Sequence, residues 1–231
     1  MAIHRLLSTA LAQPSERTAP WHKKQFMAGS NVFLHGDDAG ALWLVDSGWV
    51  KLTRQTPDGK ETIVGLCTAG DVCGEAALFA NSSYPYTAEV IADATELTTI
   101  PASYLRQLMQ QQPELMNAIM AMLSERMSQA QLKLEQMNTM TAAQRLGCFL
   151  LRLCNEAQIS GDAKLSIPIE KHVIAAYLGM KPETLSRSQQ QLQNVGVAVS
   201  GHKVAVASVD ALREFVCESC SDCGSCCAHG D

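Results

Sequence analysis

The sequence predicts an α+β fold: a small β-roll, one long helix and a C-terminal winged helix-turn-helix. Three observations point there. Residues 31–100 read as short strands punctuated by glycine, residues 114–145 contain neither glycine nor proline, and two short helical segments flank Gly179 ahead of a glycine hairpin. The 231 residues are 47% hydrophobic and 18% charged, a globular composition that excludes disordered and collagen-like chains. The first sixteen residues lack the basic flank and long apolar core of a secretory signal, and no apolar run reaches membrane-spanning length, so a soluble cytoplasmic protein is expected.

The roll comes first. Strand-like runs fall at 31–34, 41–45, 49–54, 61–67, 87–91 and 96–100, separated by Gly36, Gly40, Gly48, Gly59, Gly65, Gly70 and Gly74. Asp58-Gly59 sits between two of these runs and predicts a hairpin with a two-residue loop.

Pro113 then opens a helix rich in Met, Leu, Gln and Ala. Met116, Met120, Leu123, Met127, Ala130, Leu134 and Met137 follow at spacings of 4, 3, 4, 3, 4 and 3, the seam of a coiled coil. This period predicts that two copies pair along the helix, in preference to the helix packing on its own domain. The methionines read as soft seam packing rather than as thioether metal ligands.

A further helix is expected from Thr141 to Leu153, then a loop at 160–163. Residues 169–178 form a short helix, Gly179-Met180-Lys181 a tight turn, and 182–194 a second helix with Pro182 in its first turn. Segments 197–199 and 203–207 flank Ser200-Gly201-His202 as a wing, and Asp210 is expected to cap a last helix over 211–216. Charge follows this division: 142–216 holds eight basic and six acidic residues, whereas 1–141 holds ten and fourteen and the tail none and three. A local basic segment of this architecture implies double-stranded DNA as partner. On the second helix, Arg187 suits guanine O6 and N7, Glu183 a cytosine amino group, and Ser186 several base edges, with Thr184 beside them.

With these elements in order, the chain resembles the CRP/FNR family of bacterial transcription regulators from about Asn31 to Val216. Gly70-Asp71-Val72-Cys73-Gly74-Glu75-Ala76-Ala77-Leu78-Phe79 is similar to the family's β-roll cassette, and Val32-Phe33-Leu34-His35-Gly36-Asp37 to its first strand and turn. Pro182-Glu183-Thr184-Leu185-Ser186-Arg187 resembles the recognition helix of the FNR branch, whose glutamate, serine and arginine read TTGAT-like half-sites. The resemblance implies a cyclic-nucleotide-binding-like roll over 26–112 after an arm at 1–25, and a dimerisation helix at 113–140. It further implies a DNA-binding domain at 141–216, a homodimer on palindromic promoters, and contact with RNA polymerase.

What is sensed is read separately. Nucleotide-binding relatives hold the cyclic phosphate with an arginine, but Tyr86 stands at that position here, so cyclic AMP and cyclic GMP are not the expected ligands. Oxygen-sensing relatives carry their cluster cysteines in the N-terminal arm, and residues 1–66 contain none. The tail instead carries Cys217, Cys220, Cys223, Cys226 and Cys227, with the Cys-x2-Cys-x2-Cys-x3-Cys spacing of a ferredoxin run, although Ala228 replaces the usual proline. An iron–sulfur cluster of the 4Fe-4S type is the expected cofactor, with zinc or a thiol/disulfide switch as alternatives. Haem in the roll, on His22, His35, Cys67 or Cys73, is the other sensor reading. His35 also reads as a turn residue and the two cysteines as buried apolar ones.

No phosphate loop, dinucleotide fingerprint, zinc-protease motif or nucleophile elbow is present, so an enzyme is not expected. An iron–sulfur electron carrier would explain the tail at 217–231 but gives the recognition helix no purpose.

Overall fold

The computed structural model describes Leu7 and residues 20–75, 83–157, 159 and 161–217. The fold is α+β, and the chain divides into two compact units, Met1–Glu125 and Arg126–Asp231. Among the described residues no helix is long and apolar enough to cross a membrane.

Among the described residues of the first unit, eight strands form a roll: β1 (His22–Phe26), β2 (Asn31–Phe33), β3 (Ala41–Ser47), β4 (Trp49–Gln55), β5 (Glu61–Thr68), β6 (Val72–Cys73), β7 (Thr87–Val90) and β8 (Thr95–Pro101). They make two four-stranded sheets in the orders β1-β8-β3-β6 and β2-β7-β4-β5, with antiparallel pairing throughout. Side chains alternate across a pleated strand, and the roll uses both faces of one sheet. Val45, Cys73 and Leu97 pack inward with Phe33, Val50, Leu52, Ala88 and Val90. Leu42, Leu44, Val72 and Ile100 face outward onto two helices, α1 (Ala102–Gln111) and the start of α2 (Pro113–Thr139), through Leu105, Leu108, Leu115 and Ile119.

The Asp58-Gly59 hairpin corrects the expected loop length. Gly59 N–H donates to the Thr56 carbonyl at 2.8 Å and Thr56 N–H to the Lys60 carbonyl at 2.9 Å, so the loop is Pro57-Asp58-Gly59. Only Gly59 takes a positive φ, +81°, because proline at the second turn position favours a type I turn closed by one left-handed residue.

In the second unit α3 (Ala142–Glu156) starts at a capping box. Gln144 N–H donates to Thr141 Oγ1, and Thr141 N–H donates to Gln144 Oε1 at 3.0 Å, which separates α3 from α2. Then come β9 (Ala163–Ser166), α4 (Lys171–Tyr177), α5 (Pro182–Gln193), β10 (Val197–Ser200), β11 (Lys203–Val206) and α6 (Val209–Cys217). The wing is a three-stranded sheet in the order β10-β11-β9, so Ala163 begins a strand where a loop was expected. Gly147 of α3 lets α6 approach: a Cβ there would lie 2.6 Å from Val216 Cγ2 and 3.3 Å from Leu212 Cδ1. The cap of α6 is Ser208 rather than Asp210. Ser208 Oγ accepts from Ala211 N–H at 3.1 Å, while Asp210 lies inside the first turn and pairs with Arg213.

Candidate nucleic-acid interface

The turn between α4 and α5 is fixed by backbone chemistry. Gly179 N–H donates to the Ala176 carbonyl and Met180 N–H to the Ala175 carbonyl at 3.0 Å, a Schellman closure with Gly179 at φ +65°. Arg145 of α3 holds it from beneath. Its Nε donates to the Leu178 carbonyl at 3.2 Å and its Nη1 to the Met140 carbonyl at 2.9 Å, so one guanidinium joins the ends of α2 and α4.

Pro182 then starts α5, whose first turn has no side-chain cap. Leu185, Ser188 and Leu192 are buried, which turns Glu183, Ser186 and Arg187 to solvent on one face. Thr184 is half-buried on the flank of that face. Ser186 Oγ donates to the Pro182 carbonyl at 3.1 Å, so in the absence of DNA its hydroxyl proton is spent on its own helix and a lone pair faces outward. Gln190, seven residues from Glu183, extends the same exposed face. Sequence reasoning passed over it, although the i, i+3, i+4, i+7 spacing from Glu183 was the available signal.

Lys171, Lys181 and Lys203 are exposed around this helix, and with Arg187 they pair with no carboxylate among the described residues. Lys133 of α2 packs against α4, its Nζ 3.9 Å from the Tyr177 ring centroid. Burial, reinforced by the nearby Arg152 charge, pushes its ammonium down to about 8.

In the roll, Tyr86 closes the cassette. Its hydroxyl accepts from Gly74 N–H at 3.0 Å and donates to Glu75 Oε2 at 3.1 Å. Burial, and then the Glu75 charge, hold the phenol well above its ordinary value, so it stays neutral and able to donate. The Tyr84 ring stacks on Phe33 at 3.8 Å beside it. Cassette residues Ala76, Ala77, Leu78 and Phe79 lie outside the described residues.

These two sites match known families in order. The cyclic nucleotide-binding domain family matches residues 23–112, and the Crp-like helix-turn-helix domain family matches residues 144–215. A solved structure from Ruegeria pomeroyi, described as a cyclic nucleotide binding protein, is 33% identical, covers 92% of this chain and 89% of its own, and superposes with a TM-score of 0.68. The chain belongs to the CRP/FNR family of transcription regulators. Among curated relatives, the fumarate and nitrate reduction regulatory protein of Escherichia coli K12 is 27% identical over 84% of this chain and 78% of its own length. The global nitrogen regulator of Synechococcus elongatus is 26% identical over 93% and 98%.

As a CRP/FNR regulator the chain is a DNA-binding protein and not an enzyme. Its helix-turn-helix match spans Glu183, Thr184, Ser186 and Arg187. The α2 seam is open in the single chain: Met120, Met127, Leu134 and Met137 are 60%, 61%, 64% and 51% exposed, Ala130 is exposed, and Met116 and Leu123 are half-buried.

Of the cysteines expected to bind metal, Cys217 is the last described residue, half-buried at the end of α6, and Cys220, Cys223, Cys226 and Cys227 lie outside the described residues. Among the described residues no group of three or more His, Cys, Asp or Glu could hold a metal ion. The proposed haem ligands do not converge: His22 and His35 are exposed, on an edge strand and in a turn, while Cys67 and Cys73 are buried in the aromatic interior of the roll.

Proposed function

We propose that this regulator binds DNA as a homodimer, placing α5 of each copy in the major groove of two inverted TTGAT-like half-sites, where it meets RNA polymerase. The observation that carries the reading is the exposed face of Glu183, Ser186 and Arg187 on a helix whose opposite face is buried. Pairing is supported by the exposed seam from Met116 to Met137. In a parallel pair the flanking Arg126 would face neutral Gln131, and Lys133 is turned onto Tyr177 of its own chain, so no like charges collide across the seam. Two-fold symmetry of the protein then calls for two-fold symmetry in the operator. The test is retention of the full chain on a duplex with inverted half-sites. Binding that falls steeply with salt and is lost when one half-site is scrambled supports the reading; equal binding to unrelated duplexes overturns it.

Gating is assigned to the tail. Cys217 ends a helix whose preceding residue, Val216, is fully buried against Gly147, so a half-buried thiol stands at the end of the last helix of the winged unit. With Cys220, Cys223, Cys226 and Cys227 it supplies enough soft donors for an iron–sulfur cluster, which would add oxygen- or redox-responsive chemistry. Zinc or a dithiol couple would use the same thiolates. The roll is not read as the sensor, because the Tyr86 hydroxyl already satisfies Gly74 N–H and a Glu75 oxygen, and Cys67 and Cys73 are packed in core. Protein purified without oxygen, assayed for iron, zinc and sulfide beside a Cys217/Cys220/Cys223→Ser variant, decides among them. A broad visible band that bleaches in air and is absent from the variant identifies the cluster. A sharp Soret band transfers the role to haem in the roll.

A further inference from the structure

We propose that the pairing face of α2 is a methionine-oxidation site, at which a hydroperoxide converts seam thioethers to sulfoxides and separates the two copies. The inference rests on the homodimer reading. Four of the seven seam positions are methionine: Met116, Met120, Met127 and Met137. In the single chain Met120, Met127 and Met137 are more than half exposed, whereas Met109 and Met140 are buried in core. In a separated copy, accessible sulfur therefore gathers on the surface whose apolar character holds the pair. Met27, 66% exposed in the roll, offers a sulfur of equal access outside the seam.

The chemistry balances without a further reactant. A sulfur lone pair attacks one peroxide oxygen, the O–O bond breaks, and the departing oxygen takes a proton to leave as water or an alcohol. Sulfur is oxidised by two electrons and the peroxide reduced. A flexible apolar side chain becomes a polar one with a strong acceptor oxygen. At the centre of the seam that oxygen would lie against Leu123, Leu134 and Ala130, whose side chains cannot donate, and it could reach the flanking Arg126, Gln131 or Asn138 only by leaving the apolar seam. A buried acceptor without a donor weakens the interface at each site. A seam of methionine and alanine is also soft, so copies exchange and each separated copy exposes its sulfurs to oxidant. Three sulfoxides per chain are expected to raise the dimer dissociation constant by about a hundredfold or more.

The test follows the oligomeric state of the full chain by sedimentation equilibrium through three treatments. Hydrogen peroxide is added first. Dithiothreitol follows, which returns sulfenates and disulfides to thiols but leaves sulfoxides, and then the two methionine sulfoxide reductases. The expected record is dimer, then monomer, still monomer after dithiothreitol, and dimer again after the reductases, with one added oxygen found by peptide mass spectrometry on Met120, Met127 and Met137. A variant carrying Met120→Leu, Met127→Leu and Met137→Leu should remain dimeric in peroxide although its Met27 is oxidised. If that variant does not pair, reductase rescue of the parent chain decides alone. Loss reversed by dithiothreitol assigns the effect to cysteine and overturns the inference, as does an intact dimer bearing seam sulfoxides. A chain that is monomeric before peroxide overturns the homodimer reading itself, and this inference with it.

Discussion

The Tyr86 hydroxyl donates to the Glu75 carboxylate at 3.1 Å while it accepts from Gly74 N–H at 3.0 Å. One phenol thus takes up polar groups of the cassette that a bound nucleotide would otherwise engage, and it brings no positive charge for a phosphate. Cyclic AMP and cyclic GMP should therefore leave the melting temperature unchanged at concentrations where a ligand at a hundred times its Kd adds about 2.7 kcal/mol. Tyr86→Phe should lower stability by roughly 1–3 kcal/mol in a urea titration, because Gly74 N–H is left buried and loses this acceptor. A clear thermal shift of the parent chain with either nucleotide would return the roll to a sensing role.

Arg187 and Lys203 are both exposed cations of the second unit, but they are predicted to fail differently. Arg187→Ala removes a two-pronged donor from the face of α5 and should cost roughly 1–3 kcal/mol on the preferred duplex while relaxing its sequence preference. Lys203→Ala, in the wing, should weaken all duplexes alike and reduce the slope of log affinity against log salt by about one. Competition titrations on matched and scrambled half-sites at two salt concentrations separate the two outcomes. A uniform loss for Arg187→Ala would remove it from base reading.

The parts that were legible in the sequence are those whose signal is local. Thr141 marks the start of a helix, Gly179 and Pro182 bracket a turn and a helix start, and Gly201 marks the wing. Strand β1 was not legible, because His22, Lys23, Lys24 and Gln25 are all exposed and show no alternation; the strand exists through its pairing with β8. Helix α1 follows Pro101 directly, has no side-chain cap and is held by Leu105 and Leu108 against β3 and β8, a tertiary cause. Asp210 looked like a cap because it is acidic and precedes a helical run, yet Ser208 lies two residues earlier and makes the bond. Tyr86 was legible as a missing cation, but its bonds to Gly74 and Glu75 required the roll to close.

Gly147 sets how closely α3 and α6 approach. In an exposed helix, alanine in place of glycine stabilises by about 1 kcal/mol. Here the added methyl would lie 2.6 Å from Val216 Cγ2, and Val216 is fully buried. Overpacking of this kind costs roughly 1–3 kcal/mol, so Gly147→Ala should lower the unfolding midpoint in urea and Gly147→Leu should do so further. Because Cys217 follows Val216 directly, displacement of α6 should also alter the reactivity of that thiol toward a maleimide. An unchanged midpoint for Gly147→Leu would mean that α6 shifts freely on α3.

Lys133 predicts a pH dependence whose sign is fixed by its surroundings. Its ammonium is pushed down to about 8, from an ordinary 10.5, by burial and by the Arg152 charge, while the Tyr177 ring 3.9 Å away attracts it only in part. Below about 8 it is charged in both folded and unfolded chains, and the folded state carries the full cost of burying it. Between about 8 and 10.5 the unfolded chain binds the proton and the folded chain does not, so stability rises with pH across that window. Lys133→Met should remove this contribution. The variant should exceed the parent by roughly 1–2 kcal/mol at neutral pH, after allowance for solvent screening, and the gap should close toward the upper end of the window. Urea titrations of both proteins at several pH values give the difference directly, with other titrating groups cancelling between them. A gap that stays constant across the window would mean that the Tyr177 ring holds the ammonium charged and that burial does not govern it.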